Sequence, residues 1–443
     1  MQPGTISEIA YRGLGGPPVW ASRRPAGWLV YPGGMIAQEY RDEMVRLMET
    51  VLEEIGPRES CGEAEHRLGE TLRRRWSELG LTVECEPFRC HPRAFLGFIP
   101  FSVGLYLVAA ACYWAAPGLA VAFAAGALVL TIFELLRQRE LVDPLFPEAE
   151  GRNVVARIPA PGECRRRVIV SAHQDSAYEF NLWYFLKNAS IPLMVVAFAA
   201  PAVPLLGGLA QLLGASADTG LVHGLGVLSL ALYPVVGLNL FFHTFSVVPG
   251  AMDDLAGIAV LDGVARVLAD PPRGDGTALA HTEVVLLATS AEEAGLRGAR
   301  RFAEAHRSEL HAVPCHVLNV DGVYDERFLT AIELELALGV RHDPRLVALA
   351  ERVATRRGWK LRRGLVPFGG TDAAAFARAG VSSVSLLCQD ISRLAPNYHT
   401  RLDTLERVRP DSLTVMLQLV LDMIEEIDAG ALDIPAEAAG ERP

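Results

Sequence analysis

Hydrophobic and polar positions along this chain alternate between two textures, short amphipathic elements and long uncharged runs. After an irregular Gly- and Pro-rich arm (1–34), "EYRDEMVRLMETVLEEIG" and "EAEHRLGETLRRRWSELG" carry apolar residues at helical spacing and each ends on glycine. "LTVECEPFRC" then alternates like a strand. Farther along, "RRRVIVSAH", "TEVVLLATS", "CHVLNVDG" and "VSSVSLLC" read as strands. "LAGIAVLDGVARVLA", "EAGLRGARRFAEAH", "DPRLVALAERVATRRG", "DAAAFARAG" and residues 411–427 read as helices. This order predicts an α/β fold, a mostly parallel (mixed) sheet flanked by helices on both faces.

The second texture interrupts the first twice. From Ala94 to Leu136 the one ionisable residue is Glu134, and "APG" breaks the run in the middle. From Ala189 to Val248 only Asp218, His223 and His243 are ionisable, with a break near "GASADTGLVHG". Each region divides into two spans of about 20 residues, enough to cross a hydrocarbon layer of roughly 30 Å as a helical hairpin. Four buried helices of a soluble core are the alternative, but soluble cores seldom supply four uncharged spans of this length. Pro192, Pro201, Pro204 and Pro234 are expected to kink these helices.

Charge refines the picture. Arg89, Arg93, Arg137, Arg139 and Lys187 flank the spans on the side of the soluble segments, and the two turns carry no Lys or Arg. The positive-inside bias therefore predicts a multi-pass integral membrane protein whose soluble part is cytoplasmic. The formal charge of -11 over 443 residues argues against a nucleic-acid partner, so Arg73–Arg75 and Arg165–Arg167 read as solvated faces. Seven scattered cysteines without CxxC spacing indicate neither a disulfide framework nor a thiolate zinc site, and fit a reducing compartment. "MQPGTISEIAYRGLGGPP" has no apolar core, so no cleaved signal peptide is expected.

Ligands of open α/β sheets bind beyond the carboxyl ends of the strands. Residues just past those ends are His173 and Asp175 in "VIVSAHQDS", Glu292 and Glu293 in "ATSAEE", and Asp321 in "LNVDG". "PGAMDDLAG" adds Asp253 and Asp254 before a helix, and "PNYHTRLDT" adds His399. Singly each has a plain structural explanation: Asp254 could be an N-cap and the Glu pair could complement a helix dipole. Together, two imidazoles and several carboxylates on one edge are what a hydrolytic zinc site requires. Clustered carboxylates repel, and two divalent ions sharing a bridging carboxylate would hold them together.

"AHQDS", "GAMDDLAG", "SAEEAGLRGA", "NVDG" and "YHTRLDT", led by "IGPRESCGEAEHR" and "RNVVARIPAP", occur in the order of a known family. The chain resembles the zinc-dependent aminopeptidase, glutamate carboxypeptidase and glutaminyl cyclase family of dizinc exopeptidases, from about Glu39 to Ile427 without the two hairpins. The resemblance implies two Zn2+ per chain, bridged by Asp253, with His173 and Asp321 on one ion and Glu293 and His399 on the other. Asp175 would orient the His173 ring. Glu292 would be the general base that takes a proton from a metal-bridged water and returns it to the departing amine. A cis peptide would join Asp253 to Asp254. Asp325 competes with Asp321 as a ligand, but Asp321 directly ends the strand.

Gln174, Ala256 and the Asp372–Ala373 pair depart from the family pattern, and Asp372 reads as structural. The domain plan is then a zinc-peptidase-like domain in three pieces (35–93, 138–188, 249–430), interrupted by transmembrane hairpins at 94–137 and 189–248, with a flexible tail at 431–443. "YEFNLWYFLKN" (178–188) would lie at the membrane interface. The expected partners are a peptide substrate and the lipid bilayer. An aminopeptidase is the leading reading. Carboxypeptidase, amidase or cyclase use of the same metal site and a catalytically dead scaffold are the alternatives.

Overall fold

The computed structural model describes residues 38–269, 279–392 and 395–433, so the arm 1–34 and most of the tail 431–443 lie outside the described residues. The main sheet is built from β1 (Thr82–Cys90), β2 (Ala149–Ile158), β3 (Arg166–His173), β6 (Thr282–Thr289), β7 (Cys315–Val323), β8 (Leu329–Glu335), β9 (Val340–Arg341), β10 (Arg362–Val366) and β11 (Ser382–Cys388). A separate ribbon pairs β4 (Tyr178–Phe180) with β5 (His243–Val247). The spatial order is β1-β2-β6-β3-β7-β11-β8-β10, with β9 against β8.

The centre of the sheet, β6-β3-β7-β11, is parallel; β1, β2 and the β11–β8 pairing are antiparallel. The sheet is thus mixed, with its parallel part where the sequence places the chemistry. Parallel strands are covered on both faces, which is why all eight residues of β3 are buried. Helices Ala256–Ala269 and Pro410–Asp428 pack together on the sheet, and Ile258, Leu261, Leu417 and Val420 are fully buried. Arg297–Ala305 and Asp372–Arg378 pack together, with Phe302 and Phe376 in one apolar cluster.

The arginine runs are tied down rather than free. Arg75 pairs with Asp262 at 2.8 Å, Arg167 with Glu283 at 2.6 Å, and Arg166 with Asp433.

Among the described residues, four helical spans are long and apolar enough to cross a membrane: Ala94–Ala111, Pro117–Leu136, Asn181–Leu212 and Gly220–Phe241. The third begins at Asn181, ahead of the expected Ala189, so "NLWYFLKN" is already helical. It is interrupted at Lys187, whose φ of 52° leaves the helical region. Of the four prolines, Pro201 and Pro234 fall at helix breaks, while Pro192 and Pro204 sit in the first turns of Ser190–Ala199 and Ala202–Leu212. A first-turn proline forfeits no intrahelical hydrogen bond, so those two start helices instead of kinking them.

Both hairpins are joined to the sheet domain by specific contacts. After the first, Asp143 and Glu140 pair with Arg297 and Arg301 at 2.9 and 2.8 Å. The β4–β5 ribbon closes the root of the second, pairing Tyr178 with Val247 and Phe180 with His243.

Candidate metal centre

Adjacent parallel strands end level with one another, because β3 and β6 pair in register up to His173 opposite Thr289. Chain leaving these ends must turn over the sheet edge, and there the polar residues gather. His173 closes β3; Glu292 and Glu293 follow β6 in a tight turn that opens with Ala291 at φ 57°. Asp321 lies inside β7, which runs on to Val323 rather than stopping at the aspartate. His399, at φ 52°, projects from the loop after β11.

Asp253 sits at the middle. Its Oδ1 is 3.0 Å from His173 Nε2 and its Oδ2 is 3.2 Å from His399 Nε2. Glu293 Oε1 is 3.4 Å from the same His399 nitrogen, and Glu292 Oε2 is 4.0 Å from His173 Nε2. Among the described residues, three groups bring donor atoms within 4.8 Å of one another: His173, Asp253 and Asp321; Asp253, Glu293 and His399; and His173, Glu292 and Glu293. The first two meet at Asp253, whose two oxygens each face a different imidazole.

The loop that presents Asp253 is built for this purpose. The Asp253–Asp254 peptide is cis. Asp254 accepts the backbone N–H of His173 (3.2 Å) and of Gly257 (3.1 Å), tying the loop to β3 and starting helix Ala256–Ala269. A side chain at Gly257 would meet the Asp254 carboxylate at 2.4 Å, so that position has to be glycine. Gly250, at φ 63°, has the backbone conformation that glycine adopts without cost, and a Cβ there would lie 2.7 Å from the Asp253 carbonyl oxygen.

Asp175 does more than face the His173 ring, whose Nδ1 lies 3.3 Å from its Oδ1. Its two oxygens also accept the backbone N–H groups of Glu292 and Glu293, each at 3.1 Å, and the Ser60 hydroxyl at 2.6 Å. One buried carboxylate thus positions a histidine and both glutamates.

Three further residues hold the centre although sequence reasoning gave them no role. Asp403 accepts the N–H groups of Met252 and Asp253 at 2.8 and 3.2 Å. Arg58 donates to the carbonyls of Gln174, Pro249 and Gly250 at 2.8–2.9 Å, joining the start of the chain to the loops on either side of the second hairpin. Glu65 accepts the Ser290 hydroxyl (2.8 Å) and the Ala291 N–H (2.9 Å). All three stand within stretches quoted above as motifs, which is the signal that could have found them. Asp325 is removed from the centre: it pairs with Arg327 and caps the turn at Glu326–Phe328. Asp372 accepts the Thr289 hydroxyl, and its other oxygen has no partner.

The electrostatics demand positive charge. Burial, reinforced by neighbouring carboxylates, raises the Glu292, Glu293 and Asp254 carboxyls well above their ordinary range and pushes Asp321 up to about 8. Burial also acts on Asp253, but hydrogen bonds to His173 and His399 more than reverse it, and its carboxyl is lowered. Burial opposes a charge on His173, yet the surrounding carboxylates raise its pKa. A cation among these groups relieves their repulsion. Imidazole nitrogens with carboxylate oxygens are a zinc-type donor set, and the buried Glu293 Oε1, which faces His399 without a hydrogen-bond partner, is available to it. The residues fit the metal.

Comparison with known proteins bears on this geometry. Residues 238–424 match the model of Peptidase family M28, a stretch that holds Asp253, Glu292, Glu293, Asp321 and His399. The fold is shared with an aminopeptidase from Aneurinibacillus sp. strain AM-1 (13% identity, TM-score 0.52, covering 87% of this chain and 93% of that one). It is shared too with a zinc aminopeptidase from Bacillus subtilis (14%, 0.50, 88% and 94%) and a glutaminyl cyclase from Fimbriiglobus ruber (15%, 0.51, 91% and 99%). No curated protein matches the chain. Residues 238–424 are thus similar to Peptidase family M28, and the chain shares the fold of the zinc aminopeptidases.

Proposed function

We propose that this protein is a membrane-anchored dinuclear zinc exopeptidase, acting as an aminopeptidase. The observation that carries the reading is Asp253, placed with one oxygen toward each of two histidines. His173 and Asp321 would hold one ion, Glu293 and His399 the other, and Asp253 both. When bound, the two ions supply Lewis acidity to the scissile carbonyl and acidify the attacking water.

The remaining work belongs to the chain. Glu292 is not needed as a ligand in this assignment. It takes a proton from the attacking water and delivers it to the departing amine. Its burial favours the protonated form between the two transfers, while bound cations pull the other way. Asp175 keeps Glu292 and Glu293 in register through their backbone N–H groups. Among the described residues lining the cavity over the centre there is no Lys or Arg, so nothing there pairs with a C-terminal carboxylate. This favours aminopeptidase over carboxypeptidase use.

Membrane anchoring rests on the four spans and their apolar surfaces. Reporter fusions in the turns at 112–116 and 213–219 are expected outside the cytoplasm, with the catalytic domain inside. Metal analysis of purified protein should give close to two zinc per chain, and full activity in metal-free protein would overturn the proposal. A screen of free against blocked N-termini tests the exopeptidase assignment, since only free termini should be cleaved.

A further inference from the structure

We infer that the substrate is an amide bearing a long apolar group, held among the membrane spans and reaching the metal centre from the side of the bilayer. This rests on the peptidase reading above and names the substrate class for the same site. A cavity of about 390 Å3 joins the carboxylates and His399 to side chains of the inserted spans. Leu128, Ile132 and Leu135 line it from the second span; Met194, Val195 and Phe198 line it from the third. The cavity wall thus includes the membrane insertions themselves.

The exposed ends of this wall lie where lipid would be. Ile132, Ile191 and Val195 all line the cavity and are 42%, 37% and 47% exposed, so its boundary between the second and third spans is open. The second span packs against the first and against Ala202–Leu212, and Ser190–Ala199 packs against Tyr233–Gly237. An apolar chain entering between them keeps contact with hydrocarbon-like surface along its path, whereas a hydrophilic peptide would have to be desolvated there.

The root of the second hairpin completes the enclosure. Phe180 packs on the His399 ring with centroids 4.5 Å apart and donates its N–H to the His399 carbonyl at 2.9 Å. Gln138, just after the second span, lines the cavity with a buried side-chain carbonyl that has no partner, an acceptor for a substrate N–H.

The reaction remains hydrolysis. The amide C–N bond breaks, the water oxygen bonds to the carbonyl carbon, and the amine leaves with the proton. A long apolar group can reach the centre from two sources, an apolar peptide or the long-chain alkylamide of an amino acid, both with a free α-amine.

The test uses full-length, zinc-loaded protein in phosphatidylcholine vesicles. One arm offers free N-terminal peptides with alanine, leucine or phenylalanine flanking the scissile bond; the other offers leucine N-alkylamides, with the α-amine free, of short and long alkyl chain. The expected result is a rise of about tenfold or more in kcat/KM from the smallest to the largest apolar group in one arm, which identifies the source. Val195→Trp, which narrows the opening, should cut the large-to-small preference about tenfold, and Met194→Ala should move it toward bulkier groups. A flat dependence in both arms, or variants that lower every substrate equally, overturns the inference while leaving the peptidase reading intact. No hydrolysis in either arm overturns both.

Discussion

Helix Ala256–Ala269 and the span Gly220–Phe241 are both strongly apolar, yet they end in opposite surroundings. In the first, Ile258, Val260, Leu261 and Val264 are completely buried by the sheet and by Pro410–Asp428. In the second, only 22% of the apolar window is buried within the protein, and Leu221, Val227 and Leu228 face outward. Exclusion from water acts on both, but one is covered by protein and the other keeps an apolar surface that the chain itself leaves uncovered. The polar groups follow the same division. Within the spans they are few, and the Tyr106, Tyr113 and Tyr233 hydroxyls donate to the carbonyls of Ser229, Val222 and Leu107 at 2.6–2.7 Å, while Glu134 and Asn239 each keep one buried oxygen without a hydrogen-bond partner. At the sheet edge, carboxylates and imidazoles face one another without enough positive charge.

The largest way to sharpen this contrast is Glu292→Gln. It should keep the metal, by elemental analysis, and lose roughly 10²–10⁴ of the hydrolytic rate; full activity would take the proton-transfer role away from the sheet edge. Next comes Leu261→Ala in the protein-covered helix, which should cost about 2–5 kcal/mol in denaturant unfolding of the detergent-solubilised protein.

His316 offers a comparable effect through pH. Burial pushes its pKa down to about 4, so the folded state keeps it neutral while the unfolded chain takes up a proton from about 6.5 downward. Stability should therefore be complete above that value and fall as pH drops from 6.5 toward 4, by on the order of 3 kcal/mol, and His316→Gln should flatten this part of the profile. Asp403→Ala leaves the Met252 and Asp253 N–H groups unpaired. The expected outcome is about 10–100-fold weaker zinc binding with a stability loss of about 1–3 kcal/mol, read by metal titration and unfolding.

The smallest effect completes the comparison: Leu228→Ala, at a position 44% exposed on the fourth span, should change stability by less than about 0.5 kcal/mol. If Leu228→Ala cost as much as Leu261→Ala, the span would be packed by protein and the contrast would fail.

Much of the fold was legible in the chain because its central strands are short apolar runs closed by polar residues, as in "RRRVIVSAH" and "TEVVLLATS". The edge was harder. β8, β9 and β10 lie at the margin of the sheet, where mixed residues such as those of "RRGLV" leave no alternation to read. Helix Arg297–Ala305 starts later than its sequence suggests, because Glu292–Leu296 is spent on the turn that presents the glutamates. The candidate metal residues could be gathered since each lies near the carboxyl end of a strand or in a loop, although β7 runs on past Asp321. Asp403, Arg58 and Glu65 stood within recognisable motifs, but their roles were not legible because their partners, mostly backbone groups, are distant in sequence.

By itself the sequence determined the alternation of strands and helices, the two uncharged interruptions and the inventory of imidazoles and carboxylates. These follow from periodicity, span length and residue type, all local properties of the chain. Tertiary structure alone decided which oxygen of Asp253 meets which histidine, that Asp175 holds both glutamates, and that the spans form a wall of the cavity over them. Those are distances between segments far apart in sequence, and only the closing of the sheet, with the hairpin roots packed at its edge, sets them.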